Sequence, residues 1–334
     1  MIISRTPFRI SFFGGGTDYP VWYERKPGTV IGASINKYCY ITCRFLPPFF
    51  KYNYRIRYNK QEHKNKISQI KHPAVRECLN YLKIASGIEM QHNADLPAMS
   101  GLGSSSSFTV GLLNALYTLK DQLINKKRLA LDAIYVEQQM IGENVGSQDQ
   151  TLAAYGGLNK IEFLGRQKIN VIPIKIGSKK LVFLQNHLML FYTGIDRKAS
   201  DVAATQIRVT PKKTRELSAL MKLVDKAYKV LTAKTFNVEE FGRLLYESWQ
   251  IKRGLTHKIS NGVIDSIYSS ALKAGAIGGK LLGAGGGGFM LLCVEPEKQQ
   301  SVKKALKKLL FVPFKFEHRG SQIIYKMPDD LYQS

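Results

Sequence analysis

The stretch Pro97-Ala98-Met99-Ser100-Gly101-Leu102-Gly103-Ser104-Ser105-Ser106-Ser107 carries more structural information than any other part of the chain. Apolar residues then recur at helical spacing, at Val110, Leu113, Leu116 and Leu119. This pattern predicts a helix over residues 104–123 that begins within the serines. Glycines let a backbone approach a ligand closely, and the free N–H groups at a helix N-terminus favour a phosphate. The stretch therefore predicts a phosphate-binding loop.

A serine-capped helix after a flexible turn is the structural alternative for this loop. Capping requires one serine, whereas four serines follow two glycines here. The loop is not a Walker A motif, because no Lys-Ser or Lys-Thr follows its glycines. A formal GxGxxG at 283–288 is followed by the apolar run 289–294, which is typical of a strand. It therefore fails the strand–turn–helix context of a dinucleotide site.

On both sides of the loop, predicted strands alternate with predicted helices, which indicates an α/β or α+β fold. We expect strands at 2–13, 30–46, 88–94, 188–193 and 289–294, and helices at 73–86, 127–140, 210–234, 238–253 and 261–274. A length of 334 residues suits two packed lobes. The sequence predicts domains at 1–177 and 178–334, with a boundary near Gly177-Ser178.

The composition is strongly basic, with 49 Lys and Arg against 25 Asp and Glu and a net charge of +24. Such an excess fits nucleic acid, a membrane surface or phosphorylated small molecules as a partner. The net charge alone does not distinguish among these partners, or distinguish them from a positive charge that serves only solubility. The four cysteines have no CxxC spacing, so we expect buried free thiols. Neither a signal peptide nor a bilayer-spanning run is evident, which predicts a cytoplasmic protein without membrane insertion.

Three segments, in order, resemble the GHMP family of small-molecule kinases, which includes galactokinase, homoserine kinase, mevalonate kinase and phosphomevalonate kinase. They are Pro7–Tyr19, the loop Pro97–Ser107 and Lys280–Phe289. The resemblance implies an α+β fold of two lobes, with mixed sheets, helices packed on them and an ATP cleft between the lobes. It also implies an ATP-dependent kinase that uses Mg²⁺. Gly14-Gly15-Gly16 stands where galactokinases carry Gly-Glu-His, which argues against galactose.

A narrower resemblance is to the D-glycero-D-manno-heptose 7-phosphate kinases. It rests on four short segments: Gln148-Asp149-Gln150, Tyr192-Thr193-Gly194, Glu247-Ser248-Trp249 and Ile259-Ser260-Asn261. This resemblance implies that the anomeric hydroxyl of the heptose 7-phosphate is phosphorylated to give the 1,7-bisphosphate. Ser147 departs from the pattern, because these kinases usually have a lysine there.

The resemblance also implies roles for individual residues. Asp149 matches the catalytic aspartate and Arg9 an arginine beside it, while Ser105 and Glu137 match the magnesium ligands. The residues implied for ATP are Pro97, Ser100, Gly101, Leu102, Gly103, Ser104, Ser105, Ser106 and Ser107. Those implied for the substrate are Gly15, Gly16, Thr17, Asp18, Gly285 and Gly286.

Each of these side chains has a structural alternative. Asp149 could cap a helix, Arg9 could form a structural ion pair, Asp18 could close an Asx turn and Glu137 could be a solvated helix charge. A substrate phosphate requires cations, for which Arg197 is the leading candidate. Lys252 and Arg253 at the end of a predicted helix are a further pair.

Other functions remain open at this point. The same fold could phosphorylate another sugar, such as a fucose- or glucuronate-like one, or act as a decarboxylase of the diphosphomevalonate type. A catalytically inactive, basic nucleic-acid-binding member of the fold is a third option, motivated by the net charge of +24. Because the chain retains Ser105, Glu137 and Asp149 together, we favour a small-molecule sugar phosphate as partner over a specific nucleic acid. The number of subunits is undetermined and includes a homo-oligomer.

Overall fold

A computed structural model describes residues 1–98, 100–195 and 199–327. The strands within these ranges are β1 (Ile2–Phe13), β2 (Gly28–Phe45), β3 (Tyr54–Arg57), β4 (Gln61–Lys64), β5 (Ile88–Ala94), β6 (Leu158–Phe163), β7 (Ile169–Pro173), β8 (Leu188–Tyr192), β9 (Ala276–Leu281), β10 (Phe289–Val294), β11 (Leu310–Phe311) and β12 (Gln322–Lys326). The α-helices are α1 (Pro20–Tyr23), α2 (Pro73–Tyr81), α3 (Ser104–Leu119), α4 (Lys126–Tyr135), α5 (Gln148–Tyr155), α6 (Ser178–Asn186), α7 (Ala199–Val209), α8 (Thr214–Thr232), α9 (Val238–Arg253), α10 (Gly262–Lys273) and α11 (Gln299–Ala305).

The long strand β2 organises the larger sheet. It pairs with β1 over most of its length, with β6 along its first half and with β5 along its second half. The second half alternates in burial, so that Cys39, Ile41 and Cys43 face the core. The strand order is β12-β1-β2-β5-β3-β4, with β6 and β7 attached beside β2.

Near its C-terminus the chain returns to this first sheet. Strand β12 runs antiparallel to β1, with Ile2 opposite Lys326. The domain boundary near Gly177 stays a prediction, and β12 shows that residues beyond it contribute to the N-terminal sheet. The sequence did not predict this pairing, because it joins residues more than 300 positions apart.

The smaller sheet has the order β11-β8-β10-β9 and is built on two apolar strands. Every residue of β10 is buried, as expected of a strand covered on both faces. Helix α9 packs against β9 and contributes the fully buried side chain of Trp249. Together the two sheets and their helices confirm the predicted α+β class.

Helix α3 packs on β1 and β2. The predicted phosphate-binding loop, Pro97–Ser107, leads into its N-terminus and is called the phosphate loop below. Gly111 permits the close approach of this helix, because a Cβ there would lie 2.8 Å from Thr6 Oγ1. Ser4 Oγ donates a 2.8 Å hydrogen bond to the Gly111 carbonyl and fixes the contact. These contacts hold the middle of α3 against the first half of β1, and Ser107 near the start of α3 bonds the Pro7 carbonyl farther along the strand.

Several predicted helices are shorter in the structure. The helix predicted over 104–123 ends at Leu119, and the one over 127–140 gives way to a π-helical turn at Val136–Ile141. Helices α6 and α7 were not predicted. All four cysteines are buried, as expected. Within the described ranges, no helix is long and apolar enough to cross a membrane.

Candidate active site

Arg9 of β1 and Asp149 of α5 form an ion pair at the centre of the site. Arg9 donates from Nε to Asp149 Oδ1 and from Nη2 to Oδ2, both at 2.6 Å. The side chain of Arg9 is 4% exposed and that of Asp149 is 25% exposed. The guanidinium therefore lies behind the carboxylate, which opens toward solvent. A bidentate pair of this kind fixes both the charge and the orientation of the carboxylate.

The same arginine connects Asp149 to the phosphate loop. Arg9 Nη1 donates to the Gly101 carbonyl at 2.8 Å, and its backbone N–H donates to the Leu102 carbonyl at 3.1 Å. Gly103 precedes α3 with φ of 77°, and a Cβ there would lie 3.3 Å from Asp149 Oδ2. Only glycine readily adopts this left-handed conformation. The Asp149 carboxylate is thus held beside the N-terminus of α3, which is the positive end of the helix dipole.

The serines after Gly103 have different environments. Ser107 Oγ donates to the Pro7 carbonyl and ties α3 to β1, while Ser106 Oγ donates to Glu137. Ser105 is exposed, and the carbonyl of Ser105 accepts from Thr109 Oγ1. Ser100 Oγ is buried and has no hydrogen-bond partner within the described residues. Ser106 and Ser107 therefore have structural contacts, and Ser105 faces solvent.

The third glycine motif packs against the phosphate loop. A Cβ on Gly101 would lie 2.7 Å from the Leu282 carbonyl oxygen, and one on Gly288 would lie 2.2 Å from the Ser100 carbonyl oxygen. The bare backbones of the two loops are therefore in direct contact. Together with Arg9, this contact brings all three motifs to one place in the fold.

Asp18 lies in the turn after β1, beside the start of α5. Its Oδ1 accepts the Gly16 N–H at 2.8 Å and its Oδ2 accepts from Gln148 Nε2 at 3.0 Å. Burial raises the pKa of Asp18, and the charge of Asp149 adds to the effect. The donor Gly16 lies two residues before Asp18, whereas an Asx turn uses the N–H two residues after the aspartate. The Gln148 bond links Asp18 to the residue before Asp149.

Glu137 lies in the π-helical turn and is 1% exposed. Its Oε2 accepts from Ser106 Oγ at 2.9 Å and from Gln150 Nε2. The other oxygen, Oε1, is buried and accepts no hydrogen bond from the part of the chain that the structure describes. Burial raises the pKa of Glu137 to about 7. A solvated helix charge is excluded by this environment.

These features fit a cation beside Glu137. A buried carboxylate with an unpaired oxygen is costly unless a cation or a donor neutralises it. Among the described residues, no group of three or more His, Cys, Asp and Glu side chains could hold a metal. Magnesium requires fewer protein ligands when phosphate oxygens and waters complete its shell. The structure brings Ser106 to Glu137, whereas Ser105, predicted as the ligand, points away; its role as a ligand stays a prediction.

Replacing Glu137 by Gln is expected to raise the Mg²⁺ concentration for half-maximal ADP release by at least about tenfold. An amide keeps the size of the side chain and removes the negative charge. Titrating Mg²⁺ at fixed ATP would measure this shift. Glu216→Gln, at a carboxylate of α8 that pairs with Lys213, is the control. An unchanged Mg²⁺ requirement in Glu137→Gln would contradict the assignment.

Some predicted substrate residues have structural contacts. Thr17 Oγ1 donates to the Gly14 and Thr29 carbonyls and is fully buried, so it closes the glycine turn. Gly285 and Gly286 pack against Ile259, with the Gly286 N–H donating to the Ile259 carbonyl at 2.7 Å. Arg197 lies outside the described residues.

Two lysines at the site are buried; Lys252 was a further candidate for the substrate phosphate, and the sequence indicated no role for Lys280. Lys252 is 6% exposed and donates to the Gly283 carbonyl at 2.7 Å, while Lys280 is 1% exposed and donates to the Phe12 carbonyl at 2.9 Å. Burial lowers the pKa of Lys252 to about 8 and that of Lys280 well below its ordinary value. One signal in the sequence could have indicated that Lys252 is buried. Helical spacing puts it on the same face of α9 as Leu245 and Ser248, both of which are buried.

Comparisons with known proteins agree with this geometry. Residues 68–157 match the GHMP kinases N terminal domain, and residues 213–311 match the GHMP kinases C terminal domain. A D-glycero-alpha-D-manno-heptose 7-phosphate kinase of Campylobacter jejuni is 29% identical, covering 92% of this chain and 93% of that protein. A mevalonate kinase of Pyrococcus abyssi is 30% identical, covering 72% of this chain and 69% of that protein. A crystal structure described as a D-glycero-D-manno-heptose 1-phosphate kinase from Bacteriodes thetaiotaomicron superimposes with a TM-score of 0.80 at 23% identity, covering 98% and 100% of the two chains.

Proposed function

Because the chain belongs to the GHMP kinase family, we propose that it transfers the γ-phosphoryl group of ATP to the anomeric hydroxyl of D-glycero-D-manno-heptose 7-phosphate, giving the 1,7-bisphosphate. The observation that carries the proposal is the Arg9–Asp149 pair, held against the phosphate loop at the start of α3. The Campylobacter relative, similar over nearly its whole length, supports a heptose 7-phosphate as the acceptor.

Asp149 is the group proposed to accept the proton of the attacking hydroxyl. Each carboxylate oxygen has two lone pairs, so the bonds from Arg9 leave acceptor sites for the substrate. An anomeric hydroxyl is more acidic than an ordinary alcohol, which lowers the demand on the base. Arg9 holds the carboxylate in one orientation, so the geometry is set before the substrate arrives.

The phosphate loop and α3 provide the positive end of the site. The first backbone N–H groups of α3, which follow Gly103, are free at the N-terminus of the helix, where they favour a bound phosphate. Glu137 and Ser106 would hold Mg²⁺, which neutralises charge on the phosphates when it is bound. Phosphoryl transfer depends mainly on this positioning and charge stabilisation.

A coupled assay of ADP release with Mg²⁺ tests the proposal directly. The acceptor panel comprises the heptose 7-phosphate, the unphosphorylated heptose, galactose, fucose, glucuronate and mevalonate. We expect the heptose 7-phosphate to give the highest kcat/KM, and phosphorus-31 spectra of the product to show a new phosphate on the anomeric carbon. If another sugar gave the highest kcat/KM, that sugar would be the acceptor and the heptose 7-phosphate assignment would be wrong. Phosphorylation at another carbon would contradict the anomeric assignment.

A further inference from the structure

A small polar pocket lies against Gly15, in the glycine turn after β1. The point at which a side chain on residue 15 would begin is 3.6 Å from Lys252 Nζ, 3.6 Å from Ser11 Oγ and 3.7 Å from Gln148 Nε2. These three polar atoms come from α9, β1 and α5, elements that are far apart in the sequence. They converge on one point because residue 15 has no side chain. We call Ser11, Gly15, Gln148 and Lys252 the Lys252 pocket.

The Lys252 pocket has hydrogen-bonding capacity that the described residues do not use. Ser11 Oγ and Gln148 Oε1 are buried, and neither has a hydrogen-bond partner among the described residues. Lys252 donates to the Gly283 carbonyl, and an ammonium group has three donors. Gln148 Nε2 gives one of its two N–H groups to Asp18. Since buried polar atoms are nearly always paired, this surplus indicates a bound oxygen atom.

The charges around the Lys252 pocket favour an acceptor oxygen. Asp18 and Asp149 attract the Lys252 ammonium, whereas Arg9 and Lys280 repel it. Burial lowers the pKa of Lys252 to about 8, so the ammonium stays protonated at neutral pH. The pocket thus combines the donors of Lys252, Ser11 and Gln148 with the Gln148 amide oxygen, near two carboxylates.

We propose that the Lys252 pocket binds a hydroxyl oxygen of the acceptor sugar and so positions the sugar for transfer to the hydroxyl at Asp149. The proposal rests on the proposed function. It is favoured by Gln148, which donates to Asp18 and directly precedes Asp149. A sugar oxygen in the pocket would satisfy Ser11 and Lys252 at once. Lys252 is then a binding residue for the acceptor, distinct from the groups that hold ATP.

Gly15→Ala tests the Lys252 pocket without disturbing the turn. Gly15 is not in the left-handed region, and its nearest neighbours lie at ordinary contact distance, so a methyl group fits. It would occupy the place of the ligand oxygen. We expect acceptor KM to rise about 10- to 100-fold, as for loss of a hydrogen bond to a charged group, with ATP KM unchanged. Gly262→Ala, at another glycine with an ordinary φ and open space, is the matched control.

Lys252→Met tests the charge. We expect a similar rise in acceptor KM. The wild type is expected to lose kcat/KM above about pH 8, where Lys252 loses its proton, and the variant is expected to lack this fall. Asp18, Arg9, Asp149 and Lys280 face this ammonium and remain in the variant; because the charge of Lys252 also lowers the pKa of Lys280, the change in pH profile reports the two lysines together. Lys222→Met, at an exposed lysine of α8, is the control. Melting temperatures with and without the sugar phosphate check folding and binding together.

The outcomes separate the two claims. A wild type that releases ADP with a sugar phosphate, while Gly15→Ala and Lys252→Met keep its acceptor KM, would overturn the Lys252 pocket alone. Equal rises in the KM of ATP and of the acceptor would also overturn it, because they indicate a structural role. A wild type that releases no ADP with any acceptor would instead overturn the proposed function on which the pocket rests.

Discussion

Asp149→Asn is expected to lower kcat by about 10²- to 10⁴-fold, the usual contribution of a positioned general base. The amide has the same size but cannot accept the hydroxyl proton, and one of its atoms would face Arg9 with a donor. ATP binding should persist, because the phosphate loop does not depend on the Asp149 charge. ADP release at saturating acceptor measures the change in kcat, and nucleotide-dependent thermal stabilisation measures ATP binding.

Asp132→Asn is the matched control for this substitution. Asp132 also pairs with an arginine, with 2.7 Å between Arg128 Nε and Asp132 Oδ1, and its side chain is 5% exposed. It accepts hydrogen bonds from the hydroxyls of Tyr81 and Tyr117, at the end of α3 remote from the phosphate loop. Its replacement should lower stability and leave kcat within about twofold. Equal losses of kcat in the two variants would contradict the assignment of Asp149 as the general base.

Arg9→Met is expected to cause the largest loss of stability together with loss of turnover. Removing one partner of a buried ion pair costs about 3–5 kcal/mol, because the other charge is left unpaired. Since Asp149 is 25% exposed, the lower end of this range applies. The Gly101 carbonyl would also lose its hydrogen bond from the guanidinium, which loosens the phosphate loop. Urea unfolding measures the free energy, and ADP release measures the turnover.

The control for Arg9→Met is Arg128→Met, at the 62% exposed partner of Asp132. A solvent-exposed ion pair contributes about 1 kcal/mol or less. In a double-mutant cycle, Arg9→Met and Asp149→Asn should be strongly non-additive in kcat, because the two side chains act as one unit. Additive effects would mean that Arg9 serves only the fold.

The sequence predicted those elements that have a local signal. The bounds of β1, β5 and β10 agree residue for residue with the expected strands 2–13, 88–94 and 289–294. Strands β1 and β10 are rich in apolar residues, β5 begins with alternating apolar and polar residues, and each strand ends near a glycine, a proline or a polar turn. Long-range pairing carries no such signal, which is why β12 on the edge of the first sheet was missed.

The site was predictable to the level of the motif and less so to the level of the side chain. Arg9 and Asp149 meet because β1 and α5 carry their motifs to the same loop. The sequence alone does not distinguish the roles of Ser105 and Ser106, because both are serines. In a helix, however, the side chains of successive residues point in directions about 100° apart around the axis. That rotation places Ser106 against Glu137 and leaves Ser105 in solvent. Lys252 was one basic residue among 49 Lys and Arg, and only packing shows that it is buried.

The most direct test follows the phosphoryl group itself. ATP labelled in its γ-phosphate is incubated with Mg²⁺, the heptose 7-phosphate and either the wild type or Asp149→Asn, and the label in the isolated sugar product is counted. The wild type should transfer one label per ADP formed, and Asp149→Asn should transfer about 10²- to 10⁴-fold less in the same time. Label that appears only in free phosphate, or equal transfer by the two proteins, would contradict a sugar kinase that acts through Asp149.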